Sequence, residues 1–263
     1  MNAPLVTAAV FHSKFFGALL AGAALLSSPL ANAQDEPVTY KLVGDVGAGV
    51  YGTQSVIRSK SGETSVLPYA YADYGRFFAR VDTLGLKTMK LGYGYLELVG
   101  RVSQEGWRAN TAALAGLSDR STPIPLGIGT FQKTPYGALL LNAFVDARKS
   151  RGALLEATYA AEFKWGGVSF YPQLGLEYRS AKYANYLYGV SPAESAASGY
   201  AAYSAGASLT PVLGLAVDVP LGETWVVNMQ LRRKWLDATT YNSPLVSTRT
   251  QDMGFVALSY RFK

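Results

Sequence analysis

Apolar and polar side chains alternate with a period of two along most of the chain beyond Gln34. In the segment ALLEATYAAEFKW, 153–165, the odd positions from Leu155 to Trp165 are apolar or aromatic, whereas the even positions include Glu156, Glu162 and Lys164. Successive side chains of a β-strand point to opposite faces of the sheet. The alternation therefore predicts a strand with one apolar and one polar face.

The same pattern recurs in GALLLNAFVDAR, 137–148, and in WVVNMQLRRKW, 225–235. The apolar faces are long, several end in Trp, and the opposite faces together carry charges of both signs. A membrane β-barrel has these features, because lipid covers its apolar face, aromatic girdles lie at both interfaces, and closure satisfies the backbone hydrogen bonds. We therefore predict an all-β, antiparallel, up-and-down transmembrane β-barrel rather than a soluble β-sandwich.

Turn signals divide the chain into about twelve strands, with ten as the alternative. The predicted strands are 38–51, 65–74, 76–83, 86–92, 95–104, 123–133, 137–148, 152–165, 167–180, 203–219, 223–236 and 249–262. The long connections 52–64, 105–122, 181–202 and 237–248 then all fall at one end. Bacterial outer-membrane barrels have an even number of strands and longer loops outside the cell, so this arrangement favours twelve.

One external loop contains helix signals in the stretch YGVSPAESAASGYAAY, 188–203. Ser191 is suited to cap a helix, Pro192 to its first position, and Glu194 to completing a capping box. Gly199 can adopt the left-handed conformation that ends a helix. We predict a short helix here.

Residues 1–33 have the pattern of an export signal, with Lys14, an apolar region at 15–30 and the sequence ANA at 31–33. The apolar region is shorter than the roughly 20 residues that a membrane-spanning helix needs. We predict cleavage after Ala33, export through the periplasm, and a barrel domain at 34–263.

The chain has 24 Lys and Arg against 18 Asp and Glu, a formal net charge of +6. The basic residues are scattered and form no run interleaved with aromatics, which argues against nucleic acid and for an anionic membrane surface. There is no Cys, and His12 within the predicted signal is the only His. Without the usual general base, thiol nucleophile or soft metal ligands, we expect no enzyme activity, no cofactor and no metal.

The stretch YGVSPAESAASGYAAYSAG, 188–206, resembles the most recognisable motif of the MipA/OmpV family of outer-membrane proteins. LPYAYADYGRFF, 67–78, is similar to the family's early block, and LSYRFK, 258–263, to its last strand. Two positions depart from the family pattern: Ser204 replaces an acidic residue, and Lys263 follows the usual terminal aromatic.

The resemblance implies a bacterial outer-membrane location, with lipid and the barrel assembly machinery as partners. Tyr260 and Phe262 would form the C-terminal assembly signal, because they share the outward face with Val256 and Leu258. The family is described as scaffolds that link a murein hydrolase, the lytic transglycosylase MltA, to a murein synthase. Other members are tied to permeability, stress responses, adhesion or antibiotic susceptibility.

Two groups of residues are candidate sites. The charges predicted to face the lumen either line a selective pore or fill the barrel with ion pairs, and a barrel of this size favours filling. They are Glu156, Glu162, Lys164, Glu177, Arg179, Arg232 and Lys234, within a wider inward set that also includes Arg148. The second group, around the predicted loop helix, forms either a recognition surface or part of the outer aromatic girdle. It consists of Tyr188, Ser191, Pro192, Glu194, Gly199, Tyr200 and Tyr203.

Arg233 falls on the apolar face beside Trp235, where it could meet lipid phosphate at the outer interface or snorkel toward water. Three functions are consistent with the sequence. The first is a scaffold for murein-remodelling enzymes, which would bind periplasmic turns or the N-terminal segment QDEPVTYK, 34–41. The second is a narrow channel or permeability protein, and the third is a surface adhesin.

Overall fold

A computed structural model describes residues 40–263, so the predicted signal 1–33 lies outside the described residues. The described chain contains thirteen strands in one sheet. They are β1 (Leu42–Thr53), β2 (Glu63–Tyr74), β3 (Phe77–Arg80), β4 (Thr83–Leu91), β5 (Gly94–Arg101), β6 (Pro125–Thr134), β7 (Gly137–Asp146), β8 (Ala153–Ala160), β9 (Phe163–Trp165), β10 (Val168–Arg179), β11 (Ser208–Leu221), β12 (Trp225–Trp235) and β13 (Thr250–Phe262).

The sheet closes into a barrel because β13 pairs with β1 and every neighbouring pair is antiparallel. β8 and β9 occupy one position in the wall: β8 pairs with the second half of β10, and β9 pairs with its first three residues. The closed barrel therefore has twelve strand positions, which confirms the predicted fold and favours twelve strands over ten.

The connections divide the barrel into two different ends. The loops 54–62, 102–124, 147–152, 180–207 and 236–249 lie at one end, and the tight turns 75–76, 92–93, 135–136, 166–167 and 222–224 lie at the other. By the pattern of outer-membrane barrels, the loop end is extracellular and the turn end periplasmic. The predicted strand 203–219 begins later, at Ser208, because Tyr203 forms a bridge with Val190 within the loop.

The two faces of the wall match the predicted alternation. On β10, Leu174 faces outward and is 63% exposed, whereas its neighbour Gln173 faces the lumen and receives a hydrogen bond from Gln230. The outward Arg233 is not isolated, because the carboxylate of Asp252 on β13 accepts two hydrogen bonds of 2.7 Å from it. This pair places both charges on the outer surface close to the loop end.

Three short α-helices lie in the external loops: α1 (Ala181–Tyr188), α2 (Pro192–Ser198) and α3 (Ala238–Tyr241). The predicted loop helix is confirmed as α2. Helix α1 was not predicted from the sequence, although its buried residues Tyr183, Ala184, Leu187 and Tyr188 recur at helical spacing. In residues 40–263 no helix combines the length and the apolar character that a membrane-spanning helix requires.

The wall is not uniform in height, because the β3–β4 hairpin is short. The predicted strands 76–83 and 86–92 placed the turn too late, since the chain reverses at 81–82. Val81 there has a φ of 58°, a conformation that is rare for a β-branched residue and that turn chemistry alone would not predict.

A charge on the outward face of β10 should be costly in the middle of the membrane. We expect Leu174→Arg to lower the free energy of unfolding by about 2–4 kcal/mol, because the guanidinium would face hydrocarbon. Leu221→Arg, beside the periplasmic turn, is the matched control and should cost about 0–1 kcal/mol. Urea unfolding of the barrel refolded in phospholipid vesicles measures both, and equal losses would contradict the assigned membrane position.

Candidate functional site

The extracellular mouth of the barrel is closed by a cap of buried apolar side chains from four loops. The cap consists of Val56 and Ile57 from loop 54–62, Trp107, Leu114 and Leu117 from loop 102–124, Tyr183, Ala184, Leu187, Tyr188 and Val190 from loop 180–207, and Leu236, Leu245 and Val246 from loop 236–249. Burial of these side chains gives the loops a small core of their own. Protein therefore covers the mouth.

Hydrogen bonds join the loops of the cap to one another. The indole N–H of Trp107 donates to the carbonyl of Leu187 at 3.1 Å, and the Ser243 hydroxyl donates to the carbonyl of Tyr188 at 2.6 Å. The hydroxyls of Tyr200 and Tyr203 donate to carbonyls of other loops at 2.9 Å. Tyr188 is only 6% exposed, so this member of the predicted recognition set lies inside the cap rather than on the surface.

Helix α2 is attached to the cap through Glu194. Ser191 and Glu194 form the predicted capping box, Pro192 opens the helix, and Gly199 ends it with a φ of 79°. The Glu194 carboxylate also accepts the backbone N–H of Ser118 at 3.0 Å and pairs with Arg120 at 2.9 Å. Burial alone would raise the pKa of Glu194, but these hydrogen bonds outweigh it and hold the pKa well below its ordinary value.

A layer of buried charges lies directly beneath the cap. Arg179, 1% exposed, pairs with Glu177 at 2.6 Å and with Glu105, and Lys234 pairs with Glu177 at 2.8 Å. The Tyr183 hydroxyl of α1 donates to Glu105 at 2.7 Å. Glu105 belongs to loop 102–124, so this network joins the cap to the wall. Burial opposes ionisation of Glu105, but the Arg179 guanidinium outweighs it and lowers the pKa of Glu105.

A second set of ion pairs crosses the lumen from the short hairpin. Arg80 makes two hydrogen bonds of 2.8 Å to Glu97. Arg101 binds Asp82 at 2.9 and 3.1 Å and also pairs with Glu156 on the far side. The bidentate Arg80–Glu97 pair is geometrically specific, and together with the contacts of Arg101 it fixes the lumen side of the hairpin.

Polar contacts also cross the periplasmic half of the lumen. Arg261 makes hydrogen bonds of 2.6 and 2.7 Å to Asp45, joining β13 to β1. The Asn228 side chain donates to Asp218 at 2.8 Å and to Asp45 at 3.3 Å, and the Ser259 hydroxyl donates to Asn228. Ion pairs and hydrogen bonds therefore cross the lumen at several levels between the cap and the periplasmic end.

The residues that were predicted to face the lumen lie in three different environments. Glu156, Glu177, Arg179 and Lys234 lie in the ion-pair networks described above. Arg232 faces the lumen with its Nε buried and without a hydrogen-bond partner in the described chain. The remaining three lie at the two ends of the barrel. Glu162 and Lys164 pair with each other at 3.3 Å beside a periplasmic turn, and Arg148 is exposed in loop 147–152.

Glu105 and Asp252 are among the charged residues of these pairs that were not predicted from the sequence. Asp252 could have been found, because the pairing of β12 with β13 places it opposite Arg233. Glu105 carried no such signal, because it lies in an irregular loop outside the strand pattern. Among residues 40–263, no group of three or more Asp, Glu, His or Cys side chains is placed to hold a metal ion.

The periplasmic end presents a basic rim edged by aromatic side chains. The exposed basic residues in and beside the turns are Arg76, Lys90, Lys133 and Lys164, whereas the exposed acidic residues of the turns are Glu162 and Glu223. The exposed aromatics include Tyr93, Tyr136, Phe163 and Trp165, and Tyr136 is 84% exposed. We call the four basic residues the periplasmic rim.

Removing one charged partner from the buried network should destabilise the barrel more than removing both partners of a pair. Glu177→Gln leaves Lys234 without its partner, and we expect it to lower the free energy of unfolding by about 3–5 kcal/mol. Adding Lys234→Met removes the uncompensated charge and should recover part of that loss. Urea unfolding in vesicles measures the effect, and a double variant as unstable as the sum of the two single variants would show that the charges are independent.

The attachment of α2 should depend on pH. Because the pKa of Glu194 is lower in the folded loop, its ionisation stabilises the fold fully above the ordinary pKa of about 4.3, and the stabilisation is lost as pH falls through the folded pKa. At pH 7, Glu194→Gln should speed amide exchange at 191–200 by about tenfold, the scale of a lost helix cap. The difference from the unmodified protein should shrink below about pH 4.

Glu223→Gln, in a periplasmic turn, is the control for this experiment. It should leave amide exchange at 191–200 unchanged at both pH values. Equal exchange in the Glu194→Gln variant and the unmodified protein at pH 7 would mean that Glu194 does not hold the helix.

Comparison with known proteins agrees with this architecture. A family model described as "MltA-interacting protein MipA" matches residues 46–262. A relative named "Putative outer membrane protein YiaT", from Escherichia coli (strain K12), is 26% identical over 222 residues, covering 82% of this chain and 90% of the relative. The MltA-interacting protein of the same strain is 27% identical over 147 residues, covering 56% of this chain and 59% of that protein. The chain belongs to the MipA family, and its barrel is an outer-membrane barrel.

Proposed function

We propose that this protein is a non-enzymatic outer-membrane scaffold that holds a lytic transglycosylase at the periplasmic surface of the membrane. The main observation in support of the proposal is that the structure disfavours transport of solutes through the barrel. The mouth is capped, and ion pairs cross the lumen beneath the cap. The periplasmic rim is left as the accessible charged surface of the barrel's inner end.

The name of one relative supports the choice of partner. That relative is an MltA-interacting protein, and it resembles this chain over 147 residues. We infer that a lytic transglycosylase of the same class is the partner here. In the finer form of the proposal, a murein synthase joins the same assembly, so that cleavage and synthesis of the cell wall occur side by side.

The chemistry of the periplasmic rim fits a protein partner. Arg76, Lys90 and Lys133 are exposed and have no ion-pair partner among residues 40–263. Complementary charge speeds encounter and fixes orientation, so an acidic face on the partner would be attracted to this end of the barrel. The neighbouring aromatic side chains supply apolar contact area of the kind found at interface hot spots.

Two further elements belong to the proposal. Residues 34–39 of the N-terminal segment lie outside the described residues, and we propose that 34–41 extends the partner surface after cleavage of the signal at Ala33. We also propose that the barrel assembly machinery recognises the last strand through Tyr260 and Phe262, which lie on its outward face in edge-to-face contact with ring centroids 4.9 Å apart.

The channel and adhesin alternatives have less support. An open pore needs a continuous aqueous path, whereas the lumen contains Arg179, Glu177 and Lys234 in direct contact beneath a closed cap. An adhesin would present the tyrosines of loop 180–207, whereas Tyr188 is buried and the hydroxyls of Tyr200 and Tyr203 are bonded within the cap.

The proposal predicts that reversing the charge of the periplasmic rim abolishes partner capture. We expect the triple variant Arg76→Glu, Lys90→Glu, Lys133→Glu to lower recovery of the lytic transglycosylase at least about tenfold, equivalent to roughly 1.4 kcal/mol of binding. Crosslinking in intact envelopes, followed by purification of the barrel and quantification of captured enzymes, measures the change.

The matched control reverses three exposed basic residues at the opposite end, with Arg148→Glu, Lys149→Glu and Lys182→Glu. It changes the net charge equally and should leave recovery unchanged. Equal recovery of the lytic transglycosylase from both variants would show that the periplasmic rim does not bind it. Failure of the unmodified protein to capture any murein enzyme would contradict the scaffold proposal as a whole.

A further inference from the structure

The barrel wall has a notch between β2 and β5. β3 has only four residues and pairs with 71–74 of β2, so the remaining part of β2, 63–70, is paired with β1 on one edge alone. On the far side of the hairpin, β4 pairs with β5 only as far as Thr83 and Arg101. The missing part of the wall belongs to the loop end, in the half of the barrel nearer the outer leaflet.

The backbone of β2 confirms that its edge at the notch is free. The carbonyl of Ala70 accepts a hydrogen bond from Val81 at 2.8 Å, which closes the pairing with the hairpin. By alternation, the N–H and C=O groups of Thr64 and Val66 point toward the same side, and in the described chain they have no backbone partner there. Pro68 lies on this edge, where its missing N–H removes no ladder bond.

The hairpin is held short by specific contacts. Val81 adopts its positive φ although it is β-branched, a conformation that persists only where the surroundings enforce it. The next residue, Asp82, is bound by Arg101, and its carbonyl accepts the N–H of Val102 at 2.8 Å. Strained backbone fixed by such contacts is typical of functional sites.

The two sides of the notch differ in chemistry. At the loop end, a partly open cavity of about 160 Å³ lies between loop 54–62, the start of β2 and loop 102–124, and its lining includes Gln54, Lys60, Glu63, Gln104 and Trp107. On the membrane side, an open apolar groove is formed by Phe77, Leu84, Leu86, Leu98 and Leu126. The groove reaches Gly100 and the cavity reaches Gln104, which are about 13 Å apart along an extended chain.

We propose that the notch is a lateral port through which an amphiphile of the outer leaflet enters the wall, with its acyl chain along the groove and its polar head in the cavity. The outward residue beside the free edge, Val66, is 75% exposed, and Val102 across the notch is exposed as well, so lipid touches both margins. Backbone groups left unpaired at membrane depth are strongly unfavourable, and a head bearing hydroxyl, amide or phosphate groups would satisfy them.

The lipid is favoured over other occupants by the surroundings of the notch. A water-soluble molecule could reach the cavity from the loop end but would leave the apolar groove empty, whereas an amphiphile can occupy both. A strand from another protein could also pair with the free edge, but Pro68 interrupts its donors and the adjoining groove is apolar. This inference is independent of the proposed scaffold, because it concerns the opposite half of the barrel.

Photo-crosslinking from inside the barrel tests the port. Leu67 faces the lumen on the free edge, so benzoylphenylalanine in its place can label lipid only if lipid enters the notch. Leu140→benzoylphenylalanine is the control, because it faces the lumen within a wall that is paired on both sides. Val66→benzoylphenylalanine, which faces the membrane, shows that labelling works.

The variants are reconstituted in vesicles of phosphatidylethanolamine and phosphatidylglycerol, with or without lipid A, and adducts are identified by mass. We expect lipid adducts at position 67 at least tenfold above position 140, and the adduct mass distinguishes phospholipid from lipid A. Labelling at 66 with none above control at 67 would overturn the port, as would capture of a protein strand at 67 in intact membranes. Ser65, the next inward residue on this edge, provides a second position if the Leu67 variant fails to fold.

Discussion

The structure depends on one constraint: within a membrane, each backbone N–H and C=O group must find its partner in the protein. An open sheet cannot meet this requirement, because its two edge strands would face hydrocarbon. Pairing of β13 with β1 removes those two edges, and the register runs without interruption from Gly44 opposite Phe262 to Thr53 opposite Met253. The free stretch of β2 at the notch is the exception. Lipid on one face and a narrow lumen on the other then determine which side chains each strand can carry.

Closure at this size leaves an interior that side chains can fill. Opposite charges meet across the lumen, and each burial of a charge is tolerated because a partner is within reach. Arg179 and Lys234 share the carboxylate of Glu177, and Arg101 bridges Asp82 and Glu156. Glu105 of the cap pairs with Arg179 of the wall, so the loops and the lumen form one packed unit. A barrel that is capped at its mouth and crossed by ion pairs in its lumen is suited to presenting surfaces rather than to conducting solutes.

Much of the fold could be predicted because its signals are local. Leu155, Tyr159 and Trp165 alternate with Glu156 and Lys164 within a single segment, and Ser191 and Glu194 cap a helix within a single turn. Partners across the lumen could not be predicted, since they depend on the register of many strands together. The residues that face inward were identifiable, but the contact of Arg101 with Glu156 was not. The early turn at Val81 could not be predicted, because a positive φ is rare for a β-branched residue.

Some contacts in the cap and in the lumen join residues that are far apart in the sequence, and this has a consequence for assembly of the barrel. Arg58 donates its backbone N–H to Leu245, and Asp45 binds Arg261, so residues from the two ends of the described chain meet in both places. Contacts between residues so far apart in the sequence cost more loop-closure entropy than local contacts do. The complete cap therefore requires both ends of the barrel domain to be in place, since loops 54–62 and 236–249 meet in it. Loss of either terminal strand would open the mouth as well as the wall.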